Sequence, residues 1–232
     1  MNKLAVFVEG YTESIFVEKL LEEIAGKSKV LIERSQIRGG SSVPRAVTSI
    51  KAAKPDTGQQ YFVLIYDCGG DHQVKSRIRE EHENLTKSGY TRIIGLRDVR
   101  PRFTHNEITK LEASLPTYIK TSLLPVEFIL AIMEIEAWFL AETTHYPRIA
   151  PPLSIAAIKS ALGFDPENED MELRSEPAQD LHRCYTLGGK TYEKRQAQTT
   201  INALDYELVY LELSKKFRYL KRLIHNIETF LT

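Results

Sequence analysis

The chain has 232 residues, of which 42% are hydrophobic and 27% charged, a balance that favours a folded globular protein and argues against a fibrous or disordered one. Basic and acidic residues both number 31, so no net charge attracts nucleic acid or an anionic membrane. The two cysteines are far apart and form no CxxC pair, which fits a reducing compartment. Because we see no leader-like or long apolar segment, we expect a cytoplasmic protein that does not span a membrane.

The first part of the chain alternates short apolar runs with helix-like segments. Residues 4–8 predict a first strand, which ends at Glu9-Gly10 and is followed by residues with helical spacing. The run 61–66 is apolar on both faces, as is typical of a central parallel strand. We expect further strands at 30–32, 93–96 and 126–132, and helices from about Pro44, over 71–88 and around 105–118. This alternation predicts an α/β fold with a mainly parallel, Rossmann-like sheet flanked by helices.

The composition changes after the prolines at 147, 151 and 152. From there to the C-terminus the segments read as helices, and no strand of comparable strength follows. We therefore predict an α/β domain over residues 1–145 and a helical C-terminal region over residues 146–232 that packs on it.

Carboxylates follow several of the predicted strands. Glu9 follows the first, Asp67 the third, and Glu134 and Glu136 the fifth. Asp98 ends the fourth strand. The carboxyl ends of parallel strands gather at one edge of a sheet, and converging carboxylates are typical ligands of Mg²⁺ or Mn²⁺.

Each of these carboxylates also has a structural interpretation. Asp67 and Asp98 can cap the helix that follows, and Glu134 and Glu136 diverge if a helix has already begun there. Glu9 is harder to explain in this way, because glutamate is a poor cap and Gly10 indicates a close approach of the backbone.

Basic residues accompany the predicted strand ends and the C-terminal region. Arg97 lies at the end of the fourth strand, and Lys194 follows two glycines in the C-terminal region. Cationic side chains near a metal site suit phosphate binding, although ordinary surface charge explains any one of them as well.

The segment Val8-Glu9-Gly10-Tyr11-Thr12-Glu13, together with Asp67, resembles a Toprim domain, the metal-dependent fold of topoisomerases, primases and OLD-family nucleases. The segments Ile135–Glu142 and Tyr192-Glu193-Lys194 further resemble a bacterial Toprim-like domain of unknown function that is often met near defence and mobile genes. The resemblance implies that Glu9 does acid/base or metal work and that Asp67 is the first aspartate of a metal-binding DxD motif. The second aspartate of that motif is replaced by Gly69, and Asp71, Glu134 or Glu136 can substitute for it.

The leading hypothesis is therefore a Mg²⁺- or Mn²⁺-dependent phosphodiester-cleaving enzyme, a nuclease, in a defence or mobile-element context. Its metal ligands would be Glu9, Asp67, Glu134 and Glu136, and Glu9, Lys194 and Arg97 would be catalytic. The alternative is a catalytically degenerate Toprim module that binds nucleic acid, a nucleotide or a protein partner without turnover. The sequence also leaves open that the chain forms a homo-oligomer.

Overall fold

The computed structural model describes residues 1–40, 42–54, 58–70 and 72–232. Its fold is α/β, with one six-stranded sheet flanked by helices and a helical C-terminal region, as the sequence predicts. The strands are β1 (Asn2–Val8), β2 (Val30–Arg38), β3 (Ala46–Lys51), β4 (Tyr61–Asp67), β5 (Arg92–Asp98) and β6 (Val126–Ala131). In the sheet they follow the order β3-β2-β4-β1-β5-β6.

Strand β1 is the centre of the parallel part of the sheet. It pairs in parallel with β4 on one side and β5 on the other, and β2 pairs in parallel with β4. From Leu4 to Val8 no side chain of β1 is exposed to solvent. Burial on both faces explains why this strand is a continuous apolar run rather than an alternating one.

Strand β3 corrects one expectation, because a helix was predicted from about Pro44. The structure instead has an extended segment, Ala46–Lys51, which pairs antiparallel with β2 at the edge of the sheet and is exposed along its whole length. Val47, Thr48 and Ile50 are β-branched, which favours an extended backbone, and β2 supplies hydrogen-bonding partners that a local reading of the sequence cannot see.

The α-helices occupy both the sheet region and the C-terminal region. They are α1 (Tyr11–Ala25), α2 (Gln73–Lys87), α3 (Ile108–Ser114), α4 (Glu136–Ala141), α5 (Tyr146–Ile149), α6 (Ile155–Leu162), α7 (Pro177–Leu187), α8 (Gln198–Ala203), α9 (Tyr206–Leu208), α10 (Ser214–Lys216) and α11 (Arg218–Leu231). Short 3₁₀ turns lie at His105–Glu107, Thr143–His145, Met171–Leu173 and Lys194–Gln196, and Val209–Leu213 forms a π-helical segment. Within the described residues, no helix is both long enough and apolar enough to cross a membrane.

The chain forms two compact units, each assembled from separate stretches of sequence. Unit 1 contains residues 1–97, 109–130 and 222–232, and unit 2 contains residues 98–108 and 131–221. The limits of these units differ from the domain boundary after residue 145. That boundary stays a prediction from the sequence.

The last stretch of unit 1 is held by polar and aromatic contacts within that unit. Arg222 donates hydrogen bonds to Glu112 (2.7 Å, from Nη1) and Glu127 (3.0 Å, from Nε). The Tyr61 hydroxyl donates to the Leu231 carbonyl oxygen, and the Tyr61 ring lies 5.4 Å from the ring of Phe230. The part of helix α11 from Arg222 onward is thus an integral part of unit 1.

Packing around Gly95 in unit 1 leaves no room for a side chain on β5. A Cβ at this position would lie 2.7 Å from Ile78 Cδ1 and 3.0 Å from Phe128 Cδ1. We expect Gly95→Ala to lower the free energy of unfolding by about 1–3 kcal/mol, because the overpacked core must shift. Urea denaturation measures the change.

The second variant, Ile78→Val, removes the Cδ1 atom that makes the closest approach. Ile78→Val should lower the free energy of unfolding by less in the Gly95→Ala background than in the wild type, because it relieves the overpacking. A double-mutant cycle would then give a favourable coupling energy. Strictly additive effects would show that the contact with Ile78 does not limit this position.

Candidate metal centre

Three acidic side chains of unit 2, which we call the acidic triad, come together where β5 and β6 end. Asp98 is the last residue of β5, whereas Glu134 and Glu136 follow β6. Each contributes a carboxylate oxygen, and these atoms all lie within 4.8 Å of one another. The side chains of Asp98 and Glu136 are 1% and 0% exposed and that of Glu134 is 13% exposed, so bulk water screens the three charges poorly.

A turn of the backbone brings Glu134 and Glu136 to the same place. Met133 has a φ of 60°, in the left-handed region that non-glycine residues rarely adopt. Glu134 therefore lies outside the helix, and Glu136 is the first residue of α4. The alternative that the two carboxylates diverge on a helix does not apply, because the helix begins only at the second of them.

Uncharged donors hold each carboxylate in position. The Ile135 amide donates to Asp98 Oδ1 (3.0 Å), and the Ala178 amide in the first turn of α7 donates to Glu134 Oε2 (2.9 Å). The Tyr192 hydroxyl donates to Glu136 Oε1 (2.6 Å). Hydrogen bonds of this kind fix the direction of the remaining lone pairs of each carboxylate.

Lys194 is the cation at the centre of the triad. Its Nζ lies 3.2 Å from Asp98 Oδ2, 3.2 Å from Glu134 Oε1 and 3.4 Å from Glu136 Oε2. Its side chain is 43% exposed, so the lysine reaches the buried carboxylates from the solvent side. Arg100 Nη1 is 4.0 Å from Glu134 Oε2 and is also paired with Glu176.

The geometry and chemistry of the triad fit a divalent cation. Two Mg²⁺–oxygen bonds of about 2.1 Å each span roughly 4.2 Å, and the longer bonds of Ca²⁺ span roughly 5 Å. Oxygens within 4.8 Å of one another can therefore share one ion after small movements of their own side chains, once the Lys194 ammonium has left the space between them. The triad can hold a metal ion, and its all-oxygen donor set suits hard cations without selecting one of them.

The strand-end residues Glu9 and Asp67 lie in unit 1 and come close in the backbone. Val8 is in register with Asp67, and the Gly70 amide donates to the Glu9 carbonyl oxygen (2.9 Å). Asp67, however, is already bound by Arg38 through two hydrogen bonds of 3.1 and 3.2 Å. Its carboxylate also accepts from Gln36 Nε2 and from the Gly69 amide, so protein donors contact both of its oxygens.

The remaining predicted site residues fall in different settings. Lys194 joins the triad, whereas Arg97 is 5% exposed on β5 in unit 1. Asp71 lies outside the described residues. Asp98 was predicted as a strand-end carboxylate without a ligand role, and Tyr192 was noted only as part of a motif. The position of Asp98 at the end of a strand was the available signal for it.

Glu172, also in unit 2, is a second unusual carboxyl group. It accepts a hydrogen bond from Trp138 Nε1 (3.0 Å). Burial raises the pKa of Glu172 to about 7; the bond from Trp138 opposes this rise and the Asp170 carboxylate adds to it. The carboxyl group is therefore partly protonated near neutral pH.

Comparison with models of known protein families and with curated protein sequences gave no match. The function is therefore inferred from the residues and the geometry of the site.

The raised pKa of Glu172 predicts a pH-dependent stability. In the unfolded chain the pKa returns to about 4.3, so the native state binds the proton more tightly. The stabilisation is complete below about pH 4.3 and is lost as the pH rises through about 7. Glu172→Gln keeps an acceptor for Trp138 and removes the titration, so it should flatten this fall and stabilise the protein at about pH 8.

Urea unfolding at a series of pH values, followed by the fluorescence of the single tryptophan, measures this effect. Glu167→Gln, at an exposed glutamate, is the matched control and should keep the wild-type pH profile. Identical profiles for wild type and Glu172→Gln would contradict the assignment.

Proposed function

We propose that this protein is a metal-dependent phosphodiester-cleaving enzyme, a nuclease, and that the acidic triad binds its Mg²⁺ or Mn²⁺ ion. The observation that carries the proposal is the cluster itself, in which Asp98, Glu134 and Glu136 gather around the ammonium of Lys194. Three carboxylates surround one ammonium, and Arg100 lies 4.0 Å from Glu134, so many charges are concentrated in a poorly solvated place. Buried charge is costly unless it is compensated, and a divalent cation compensates it.

Lys194 is the member of the cluster that can move. Its side chain is 43% exposed, whereas those of Asp98 and Glu136 are 1% and 0% exposed. When an ion binds, like-charge repulsion favours movement of the ammonium away from the carboxylates towards solvent. A phosphate group that approaches the site from solvent would then meet this ammonium.

The chemistry divides between the ion and the protein. When bound, Mg²⁺ or Mn²⁺ would polarise the phosphate and activate a water molecule. Asp98, Glu134 and Glu136 would hold the ion, and the amides of Ile135 and Ala178 keep two of these carboxylates in place. Lys194 stabilises the negative charge that develops on the phosphate oxygens.

The resemblance to Toprim domains supports the same class of activity but favours different ligands. It implies Glu9 and Asp67 as metal-binding residues, and these remain a proposal. The contacts of Asp67 with Arg38 weigh against that role, because an incoming ion would have to displace a bidentate pair. We therefore propose the acidic triad as the principal metal site.

A second candidate is a binding module without turnover, and one contact favours it. Lys194 lies within 3.4 Å of all three carboxylates and can partly neutralise them without any ion. In that case the cluster is a structural ion-pair network. The protein would then bind nucleic acid, a nucleotide or a protein partner without cleaving it.

Metal binding tests the ligand set directly. Saturating Mn²⁺ should stabilise the wild-type protein against unfolding, by about 2.7 kcal/mol at one hundred times its dissociation constant. Glu136→Gln should remove most of this effect, because it neutralises the ligand yet keeps an acceptor for the Tyr192 hydroxyl. Asp67→Asn should leave the effect unchanged. Thermal unfolding with and without Mn²⁺ gives the comparison, with Glu167→Gln as an exposed control.

Loss of the metal effect in Asp67→Asn, with Glu136→Gln unaffected, would move the site to the ligands implied by the resemblance. Absence of any metal effect in the wild type would favour the structural ion-pair network.

Activity tests the role of Lys194. We expect Mn²⁺-dependent cleavage of single- or double-stranded nucleic acid that stops with chelator. Lys194→Ala should lower the rate by about 10²-fold, in the range seen when one transition-state donor is removed. The same change should leave Mn²⁺ affinity equal or higher, because it removes a cation that competes for the carboxylates.

Lys221→Ala, at an exposed lysine of unit 2 outside the triad, is the matched control and should cleave at the wild-type rate. Measurable Mn²⁺ binding without cleavage of any DNA or RNA substrate would favour the binding module.

A further inference from the structure

Unit 2 contains a surface cavity of about 340 Å³ beside the segment that carries Lys194. The cavity lies between helices α7 and α8, and residues 189–192 form part of its wall. Among the residues that the structure describes, no aspartate or glutamate lines it, and Lys190 is the one charged residue of the lining. The balance of charge in the lining favours an anionic ligand.

Several donors that line the cavity have no protein partner in the described part of the chain. Lys190 makes no ion pair there, and the side chains of Thr191, Gln196 and Thr199 make no hydrogen bond there. These groups are therefore available to a ligand. Convergent polar groups of this kind, placed around a concave surface, are what orients a small molecule in a binding pocket.

Two aromatic side chains complete the lining. Tyr185 and Tyr192 meet edge to face, with ring centroids 6.1 Å apart, and the Tyr185 hydroxyl shares a hydrogen bond with Thr200 Oγ1 (3.0 Å). Both tyrosines are almost completely buried, so they give the cavity a fixed, partly apolar wall against which a planar ring such as a nucleobase can lie.

Tyr192 connects the cavity to the acidic triad. Tyr192 lines the cavity, and its hydroxyl donates to Glu136 Oε1 (2.6 Å). Lys194, two residues further along, contacts all three carboxylates. A ligand in the cavity therefore lies one side chain away from the candidate metal centre.

We propose that this cavity binds one nucleotide unit of the substrate, with its phosphate at Lys190 and its base between the tyrosines and the amide of Gln196. The ammonium of Lys190 supplies a point charge for phosphate, and the Gln196 amide can both donate to and accept from a base edge. The volume is at the small end of the range for ligand pockets, which suits one nucleotide rather than a folded partner. The identity of the ligand rests on the proposed phosphodiesterase function.

Calorimetric titration with the four ribonucleoside 5′-monophosphates, in the presence of chelator, tests the proposal without metal or turnover. We expect measurable binding of at least one of them, weaker binding of the matching nucleoside, and still weaker binding of inorganic phosphate. Lys190→Gln should weaken nucleotide binding by about 10-fold or more, the effect of losing one charge-assisted contact. Gln196→Ala should reduce the preference among bases, and Lys221→Gln should match the wild type.

Both tested side chains are exposed, so the variants should fold, and circular dichroism checks this. Failure of every nucleotide to bind at millimolar concentration, or equal binding by wild type and Lys190→Gln, would overturn the proposal. Equal affinities for nucleotide and inorganic phosphate would reduce the cavity to an anion site and overturn its assignment to a nucleotide. Because the titration contains chelator, a failed metal site leaves this result standing, and a failed cavity leaves the metal measurements standing.

Discussion

The contact between Lys194 and the acidic triad is the interaction on which the functional interpretation of this molecule depends. The chain places three carboxylates, two of them almost completely buried, within 4.8 Å of one another. Such a cluster is stable only if positive charge accompanies it. Lys194 provides part of that charge and reaches the cluster from solvent, which makes it the group whose position depends on what else binds. A lysine in this setting can neutralise the carboxylates when no ion is bound, and its ammonium can pair with a phosphate when it is displaced.

Neutral donors determine how the cluster is shaped. The amides of Ile135 and Ala178 and the hydroxyl of Tyr192 each bind one carboxylate. These donors belong to the start of α4, the first turn of α7 and the segment before Lys194. The site is thus assembled from residues far apart in sequence, and its geometry depends on several elements of unit 2.

Much of the fold was predictable because burial determines the pattern of the central strands. Continuous apolar runs predicted β1, β4, β5 and β6, and their placement in one mainly parallel sheet is confirmed. Strand β3 was not predictable in the same way, since all its residues are exposed and its extended form depends on pairing with β2. The candidate site was predictable in part, because carboxylates that follow parallel strands are expected to gather at one edge of the sheet. This expectation identified Glu134 and Glu136 as candidate ligands and Asp98 as a strand-end carboxylate. Their convergence depends on the left-handed turn at Met133, which no local pattern in the sequence announces.

The division of the chain into two interleaved units has a consequence for synthesis. The chain passes from one unit to the other after residues 97, 108, 130 and 221, and unit 1 is completed only by residues 222–232. Arg222 and Phe230 make their contacts with residues translated about a hundred or more positions earlier. Residues 222–232 of unit 1 therefore leave the ribosome after all of unit 2 has been made. Unit 1 cannot complete its packing before this stretch is made, so part of its apolar surface stays uncovered during the synthesis of unit 2 and is open to misfolding.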